Sequence, residues 1–447
     1  MAAVVVVTQL LCRPPSWNAG RPPAAVRLTT KCSLSKQGQR FLSSLAIAAD
    51  DDAAANRLIC KFVASSPKSV ALNALSHLLS PATAHPHLSS LALPLYCRIT
   101  EASWFSYNPK LVADVVALLY QHHRLNEAET LVYEAVSKLG DRERDLALFY
   151  CTLIDSHSKQ GSKRGFFDSY ERLKQLASSS SSVYVKQRAF ESIVKCLCVL
   201  DLPREAESVM KEMRSSGLKT SVFEFRSVVH AYGKLGFFED MNRIISQMEN
   251  EGFAMDTICS NMILSSYGVH NRQSEMVKQL RRMKDSGIPF SIRTYNSALN
   301  SCQAMSLKLQ YPKNLPLSIE QLVETLNGGE AMLVRELVDS SVLADAMEWN
   351  SSEAKLDLHG MHLGCAYLVI LQWVEEARRR FRSGKWMVPA EVTVVCGSGK
   401  HSVVRGESPV KGLVREMMVR MKSPMRIDRK NIGCFVARGE VVKQWLC

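Results

Sequence analysis

Two short segments near the C-terminal end of the sequence hold residue types that can do chemistry. In LDLHG, Asp357 and His359 stand two residues apart, so on a strand they project from one face. A carboxylate so placed can orient water or a metal ion, and a neighbouring imidazole can move a proton near neutral pH. In CGSGKHS, the glycines let backbone amides approach an anion. At adjacent strand ends the two segments would form a phosphate-binding rim. The same residues also suit a plainer role, a satisfied strand-end hydrogen bond and a glycine turn. From residue 355 onward, seventeen Lys and Arg stand against eight Asp and Glu, and RRRFRSGK is the densest cluster. That balance favours a polyanionic partner, although cations at a helix end also answer its dipole.

Such a rim needs a sheet to hold it. The pattern predicts strands over 355–358, 391–396 and 432–437 and helices over 365–381 and 410–421, the order of a small α/β domain. Upstream the chain repeats itself. EAESVMKEMRSSGLKTS, EDMNRIISQMENEGFAMD and SEMVKQLRRMKDSGIPFS place Met213, Met248 and Met283, and likewise Gly217, Gly252 and Gly287, at intervals of 35 residues. Each unit carries two amphipathic stretches, such as 223–234 and 238–249, and the second closes on a glycine suited to a left-handed cap. One hairpin cannot bury both of its faces, which points to an α-helical solenoid of helix-turn-helix repeats. Fainter copies, 111–121 with 126–138 and FYCTLIDSHSKQGS with 166–176, bring the array to about five repeats. The serine run 178–182 reads as a loop insertion, RTYNSALNSC opens a further unit, and the segment before residue 355 reads as a connector that caps the open end.

The 447-residue chain is 46% hydrophobic and carries a formal charge of +13, which suits packed cores and an anionic partner. Part of that charge lies in a leader: no Asp or Glu precedes Asp50, while Arg13, Arg21, Arg27, Lys31, Lys36 and Arg40 lie among Ser, Thr, Ala and Pro. The tract resembles a chloroplast transit peptide more than a mitochondrial one, and its uncharged apolar start argues against secretion. The uncharged stretch 69–97 contains three prolines and three histidines, so it reads as short helices rather than a membrane span. Cys196 and Cys198 lie too close together for a zinc knuckle.

Helical hairpins of this length resemble two families. Tetratricopeptide arrays grip peptides, which leaves a protein-binding scaffold without nuclease activity as the alternative. The wording RTYNSALNSC, YCTLIDSHSKQG and EAESVMKEMRSSGLK resembles pentatricopeptide repeats instead, across 109–302. That resemblance implies single-stranded RNA as partner, one base read per repeat, with DNA less suited. The family's register starts units at Gln187, Val222, Thr257 and Ile292. The implied base readers are the fifth residues, Glu191, Arg226, Asn261 and Asn296, with the last residues Ser221, Asp256 and Ser291. Asn261 with Ser291 looks like a pyrimidine reader. Arg226 with Asp256 departs from the common pairs and also suits a plain surface ion pair.

From residue 355 to the end, the opening LDxH, the glycine loop with GKHS, the IGCFVARGE stretch and Trp445 resemble the small MutS-related (SMR) domain, as joined to pentatricopeptide repeats in plants. The resemblance implies nucleic-acid binding and, in some members, endonucleolytic cleavage. Carried across, Asp357 and His359 are the catalytic pair, and Gly397, Gly399, Lys400 and His401 hold a backbone phosphate, with Mg²⁺ entering only if the domain cleaves. Cys396 and Ser398 depart from the family's usual residues. The expected division is a transit peptide at 1–45, a helical region at 46–108, repeats at 109–305, a linker at 306–354 and an SMR-like α/β domain at 355–447. The expected role is chloroplast, or else mitochondrial, RNA processing, stabilisation or translation.

Overall fold

The computed structural model describes residues 34–80, 86–397 and 408–447. The described residues fall into two compact units, divided between Asn108 and Pro109. In the first, α1 (Lys36–Ile47), α2 (Asp52–Ser65), α3 (Lys68–Leu78), α4 (Pro86–Ser89) and α5 (Ala92–Thr100) follow one another. Ser35 caps α1 by accepting from the Gly38 amide, and Phe41 stacks on Phe62 with centroids 3.7 Å apart. Residues 36–45, assigned above to the leader, therefore contribute core to this helical unit, and the rest of the leader, 1–33, lies outside the described residues. No helix among the described residues is long and apolar enough to cross a membrane.

The second unit opens with hairpins: α6 (Pro109–Gln121) with α7 (Leu125–Leu139), α8 (Glu143–Gln160) with α9 (Lys163–Ser179), and α10 (Val183–Val199) with α11 (Pro203–Ser215). They continue as α12 (Val222–Lys234) with α13 (Phe238–Asn250), α14 (Thr257–Val269) with α15 (Gln273–Asp285), and a shortened α16 (Ile292–Leu299) with α17 (Gln303–Leu309). The recurring Met and Gly have a common physical cause. Met213, Met248 and Met283 are fully buried, and each lends its carbonyl to the amide of the residue after the glycine, at 3.1, 3.0 and 2.8 Å. Gly217, Gly252 and Gly287 make that closure at φ of 74°, 85° and 64°, the left-handed region that glycine enters without strain.

The serine run is a loop only in part: residues 180–182 link α9 to α10, with Ser182 capping α10. Ser178 and Ser179 belong to α9, their hydroxyls donating to carbonyls four residues back. The longer upstream spacing is spent on longer helices, 18 residues in α8 and 17 in α9 and α10, against 13 in each of α12 to α15.

After a 3₁₀ turn at Pro312–Asn314 come α18 (Ile319–Glu324), α19 (Gly328–Val338) and α20 (Val342–Ala346). Helix α19 packs on α15 and α16, closing the array. The C-terminal portion is a five-stranded mixed sheet of order β1-β2-β3-β5-β4: β1 (Met347–Trp349), β2 (Glu353–Asp357), β3 (Glu391–Val395), β4 (Arg426–Ile427) and β5 (Cys434–Arg438). Strands β2 and β3 run parallel through the crossover helix α21 (Leu363–Ser383), and α22 (Pro409–Arg420) and α23 (Gly439–Leu446) complete the layer. Every residue of α21 from Gly364 to Val374 is buried, because the helix packs on α16 and α17 as well as on α22 and α23.

Candidate nucleic-acid interface and rim

The first helices α10, α12, α14 and α16 lie side by side, and the residue before each of the last three is its N-cap. Ser221, Asp256 and Ser291 are those caps, which explains why the last position of each unit is small and polar. The fifth residue of a unit then sits one turn inside its helix, level with the cap of the next. Arg226 Nη2 donates to Asp256 Oδ2 at 2.6 Å, while Asp256 Oδ1 accepts from the Cys259 amide at 2.9 Å. The Arg226 side chain is 10% exposed, so this ion pair is half-buried rather than a loose surface contact. Asn261 Nδ2 donates to Ser291 Oγ at 3.3 Å, and Asn261 Oδ1 has no hydrogen-bond partner among the described residues.

Glu191 and Ser221 turn to other partners. Glu191 accepts from Gln187 at 2.9 Å and pairs with Arg188, whereas Ser221 closes a capping box with Glu224. Burial raises the Glu224 carboxyl above its ordinary range. Asn296, at the corresponding place in α16, is surrounded differently. Its Nδ2 donates to the Gly360 carbonyl and its Oδ1 accepts from the His362 amide, both at 2.9 Å.

The rim assembles from the ends of β2 and β3, where Asp357 pairs in register with Val395 and the Leu358 amide donates to the Val395 carbonyl at 2.9 Å. Alternation buries Leu356 and Leu358 and leaves Asp357 and His359 on the open face. Asp357 Oδ1 meets both the His359 amide, at 2.9 Å, and the imidazole Nδ1, at 2.7 Å. In the neutral ring, a carboxylate in that place favours the proton on Nδ1 and leaves Nε2 as the acceptor. Nε2 overlies Gly397, where a Cβ would lie 3.5 Å from it. Gly399, Lys400 and His401 lie outside the described residues. Among the described residues no group of three or more His, Cys, Asp or Glu stands ready to hold a metal ion.

Sequence reasoning did not single out a basic turn beside the end of β3. The Cys396 amide donates to the Gly433 carbonyl at 2.8 Å, which sets the turn 428–433, with Arg429 and Lys430, beside β3. Asp428 accepts from the Lys430 and Asn431 amides, so the signal was an Asx turn inside the basic run RIDRKNIG. Asn300 and His362, whose side chains meet at 2.8 Å, carried no local signal.

Family models match this array. A PPR repeat is found at 188–218, and the pentatricopeptide repeat domain at 208–270 and 243–305. A pentatricopeptide repeat-containing protein of Arabidopsis thaliana is 56% identical over 416 residues, covering 93% of this chain and 82% of the relative. A second from the same plant is 23% identical over 198 residues, 44% of this chain and 43% of its own. Of the weaker relatives, two from Arabidopsis thaliana and one from Zea mays are named as chloroplastic. Among solved structures, the pentatricopeptide repeat protein PPR10 in complex with an 18-nucleotide psaJ RNA element aligns at 16% identity with a TM-score of 0.37, over 68% of this chain and 46% of that one. PPR10 from maize aligns at 14% identity and a TM-score of 0.36, over 86% and 61%.

Proposed function

The chain belongs to the pentatricopeptide repeat proteins, and from that premise we propose that it is a sequence-selective RNA-binding factor of the chloroplast, acting in RNA processing, stabilisation or translation. The observation that carries the reading is the row of polar pairs on the first helices, Arg226 with Asp256 and Asn261 with Ser291, each joining a fifth residue to the next helix cap. Side chains held at a fixed spacing on one surface suit the edges of unstacked bases, which a peptide groove does not require. Within that row Asn261 is the base reader of choice, since its Oδ1, though buried, has no hydrogen-bond partner among the described residues and would gain one only from a base that displaces the Ser291 contact. Glu191 and Ser221 would line the same face further up the array. The acid-poor leader and the chloroplastic names of several relatives support the compartment, with the mitochondrion as the alternative.

The C-terminal sheet is read as a small MutS-related domain because LDLHG and the glycine loop fall at adjoining strand ends. Its rim would grip a backbone phosphate through Gly397, Gly399, Lys400 and His401, and Asp357 with His359 would cut nearby. In that step the Asp357 carboxylate orients the ring, His359 Nε2 takes the proton of the attacking hydroxyl or water as its oxygen bonds to phosphorus, and the P–O bond to the leaving ribose oxygen breaks, that oxygen taking a proton from solvent. Among the described residues Asp357 and His359 alone do not make a metal site, and Mg²⁺ would enter only if the domain cleaves. Incubation of the full chain with labelled chloroplast RNAs, with and without Mg²⁺, tests both parts. Salt-sensitive retention supports the RNA reading, and discrete cleavage that vanishes in Asp357→Ala supports the endonuclease. Retention of intact RNA by both proteins would leave a binding factor and sink the cleavage assignment.

A further inference from the structure

The two asparagines at the fifth position stand 35 residues apart on equivalent helices, yet their surroundings differ. Asn261 keeps an acceptor, itself buried, without a hydrogen-bond partner among the described residues. Asn296 spends both ends of its amide on the backbone of the C-terminal domain, at Gly360 and His362. A base could reach it only by breaking both hydrogen bonds and opening a packed interface. The contacts on either side of Asn296 hold that interface shut. The Tyr295 hydroxyl reaches Gln372 Oε1 of α21 at 3.3 Å, Asn300 meets His362, and Gly364 lies so close that an added Cβ would stand 3.3 Å from Leu299 Cβ.

A second observation agrees without depending on the first. Each formed pair joins a fifth residue to a polar group 30 positions later, Arg226 to Asp256 and Asn261 to Ser291. Thirty positions after Asn296 stands Leu326, an apolar residue packed against the core. Asn327, which follows Leu326 and caps α19, accepts at its Oδ1 from the Glu330 amide at 2.8 Å, so no pair of this kind joins Asn296 to the next helix cap among the described residues.

The turn that Asn296 grips carries the rim. Gly360 follows His359 directly, turns at φ 74°, and leads to Met361, whose amide donates to the Leu358 carbonyl at 3.2 Å. Fixing the Gly360 carbonyl and the His362 amide fixes the backbone from which His359 projects toward Asp357 and Gly397. We infer, resting on the RNA reading above, that Asn296 is a clamp for this turn and not a base reader, so base recognition ends at Asn261 and Ser291. The rim then stands a fixed single repeat beyond the last base read, instead of swinging on a free linker.

The test uses the full chain as wild type, Asn296→Ala, Asn296→Asp and Asn261→Ala. Amide hydrogen exchange over 357–364 and the imidazole NMR signals of His359 report the clamp. A pool of single-stranded RNAs randomised at each position reports base preference. In Asn296→Ala, exchange over 357–364 rises about tenfold, as expected for a lost buried hydrogen bond, and the His359 signals shift. Asn296→Asp keeps the acceptor for the His362 amide and restores part of both. Neither variant changes base preference, whereas Asn261→Ala relaxes it at one position. Unaltered exchange and unaltered His359 signals in both Asn296 variants would overturn the clamp, and a changed preference at a second position in Asn296→Asp would overturn the claim that reading stops before it. If the wild type retains no RNA, the RNA reading fails, and exchange with the His359 signals still decides whether Asn296 clamps the turn.

Discussion

His157 allows the packing of the solenoid to be tested by pH. It lies on α8, fully buried, edge-on to Tyr120 of α6 at 4.8 Å between ring centroids. Gly165 of α9 approaches so closely that a Cβ there would stand 2.2 Å from the imidazole. Neither ring nitrogen has a hydrogen-bond partner among the described residues. Burial lowers its pKa from 6.5 to about 4. Between those values the unfolded chain binds more protons than the folded one, so stability rises with pH and is lost on acidification. Moving from about pH 7 to about pH 5 should cost about 2 kcal/mol from this group alone. Urea unfolding at both pH values, for wild type and His157→Leu, isolates the effect, because Asp114 (raised by burial) and His230 (lowered by burial) titrate in both proteins. The wild type should lose about 2 kcal/mol more than the variant. At neutral pH the variant should be no less stable, since it forfeits no hydrogen bond. Equal losses in the two proteins would refute burial of the neutral ring as the source of acid sensitivity.

Three further outcomes follow from the geometry. Gly233→Ala puts a Cβ 2.3 Å from Ser266 Oγ and 2.8 Å from Met241 Sδ; it should destabilise by about 1–3 kcal/mol in urea melts, with Ser266→Ala recovering only part. Asp256→Asn keeps an oxygen to cap Cys259 but removes the charge beside Arg226, and with Asp256 42% exposed the stability loss should stay below about 1 kcal/mol in the same melts. If the rim cleaves RNA, Asp357→Asn should remove the grip on His359 Nδ1 and lower the cleavage rate by about tenfold or more, while RNA retention stays within about twofold of wild type in filter binding.

Legibility in the sequence followed the range of the interactions. The 35-residue period was plain because each repeat closes on itself, a buried Met carbonyl meeting the amide beyond a left-handed glycine five residues or fewer away. The helices expected over 223–234 and 238–249 form as Val222–Lys234 and Phe238–Asn250 for the same reason. The rim's Asp357, His359 and Gly397 were legible because strand alternation and a parallel register place them together. Strands β1 and β4, of three and two residues, are too short to show a period. The partners of Asn296 lie 64 and 66 residues away and arise from docking of the C-terminal domain, which no local pattern encodes. Helix α1 escaped because Phe41, Leu42 and Leu45 form an apolar face inside an otherwise leader-like composition.

The central claim, that this solenoid reads RNA through Asn261 and Ser291, is tested most directly by selection from a randomised single-stranded RNA pool across a salt series, with wild type and Asn261→Ala side by side. The account predicts retention that falls steeply with salt, a preference for a pyrimidine at one position, and loss of that preference in the variant. Retention insensitive to salt, or the same base preference in both proteins, would contradict it and favour a solenoid that grips a peptide.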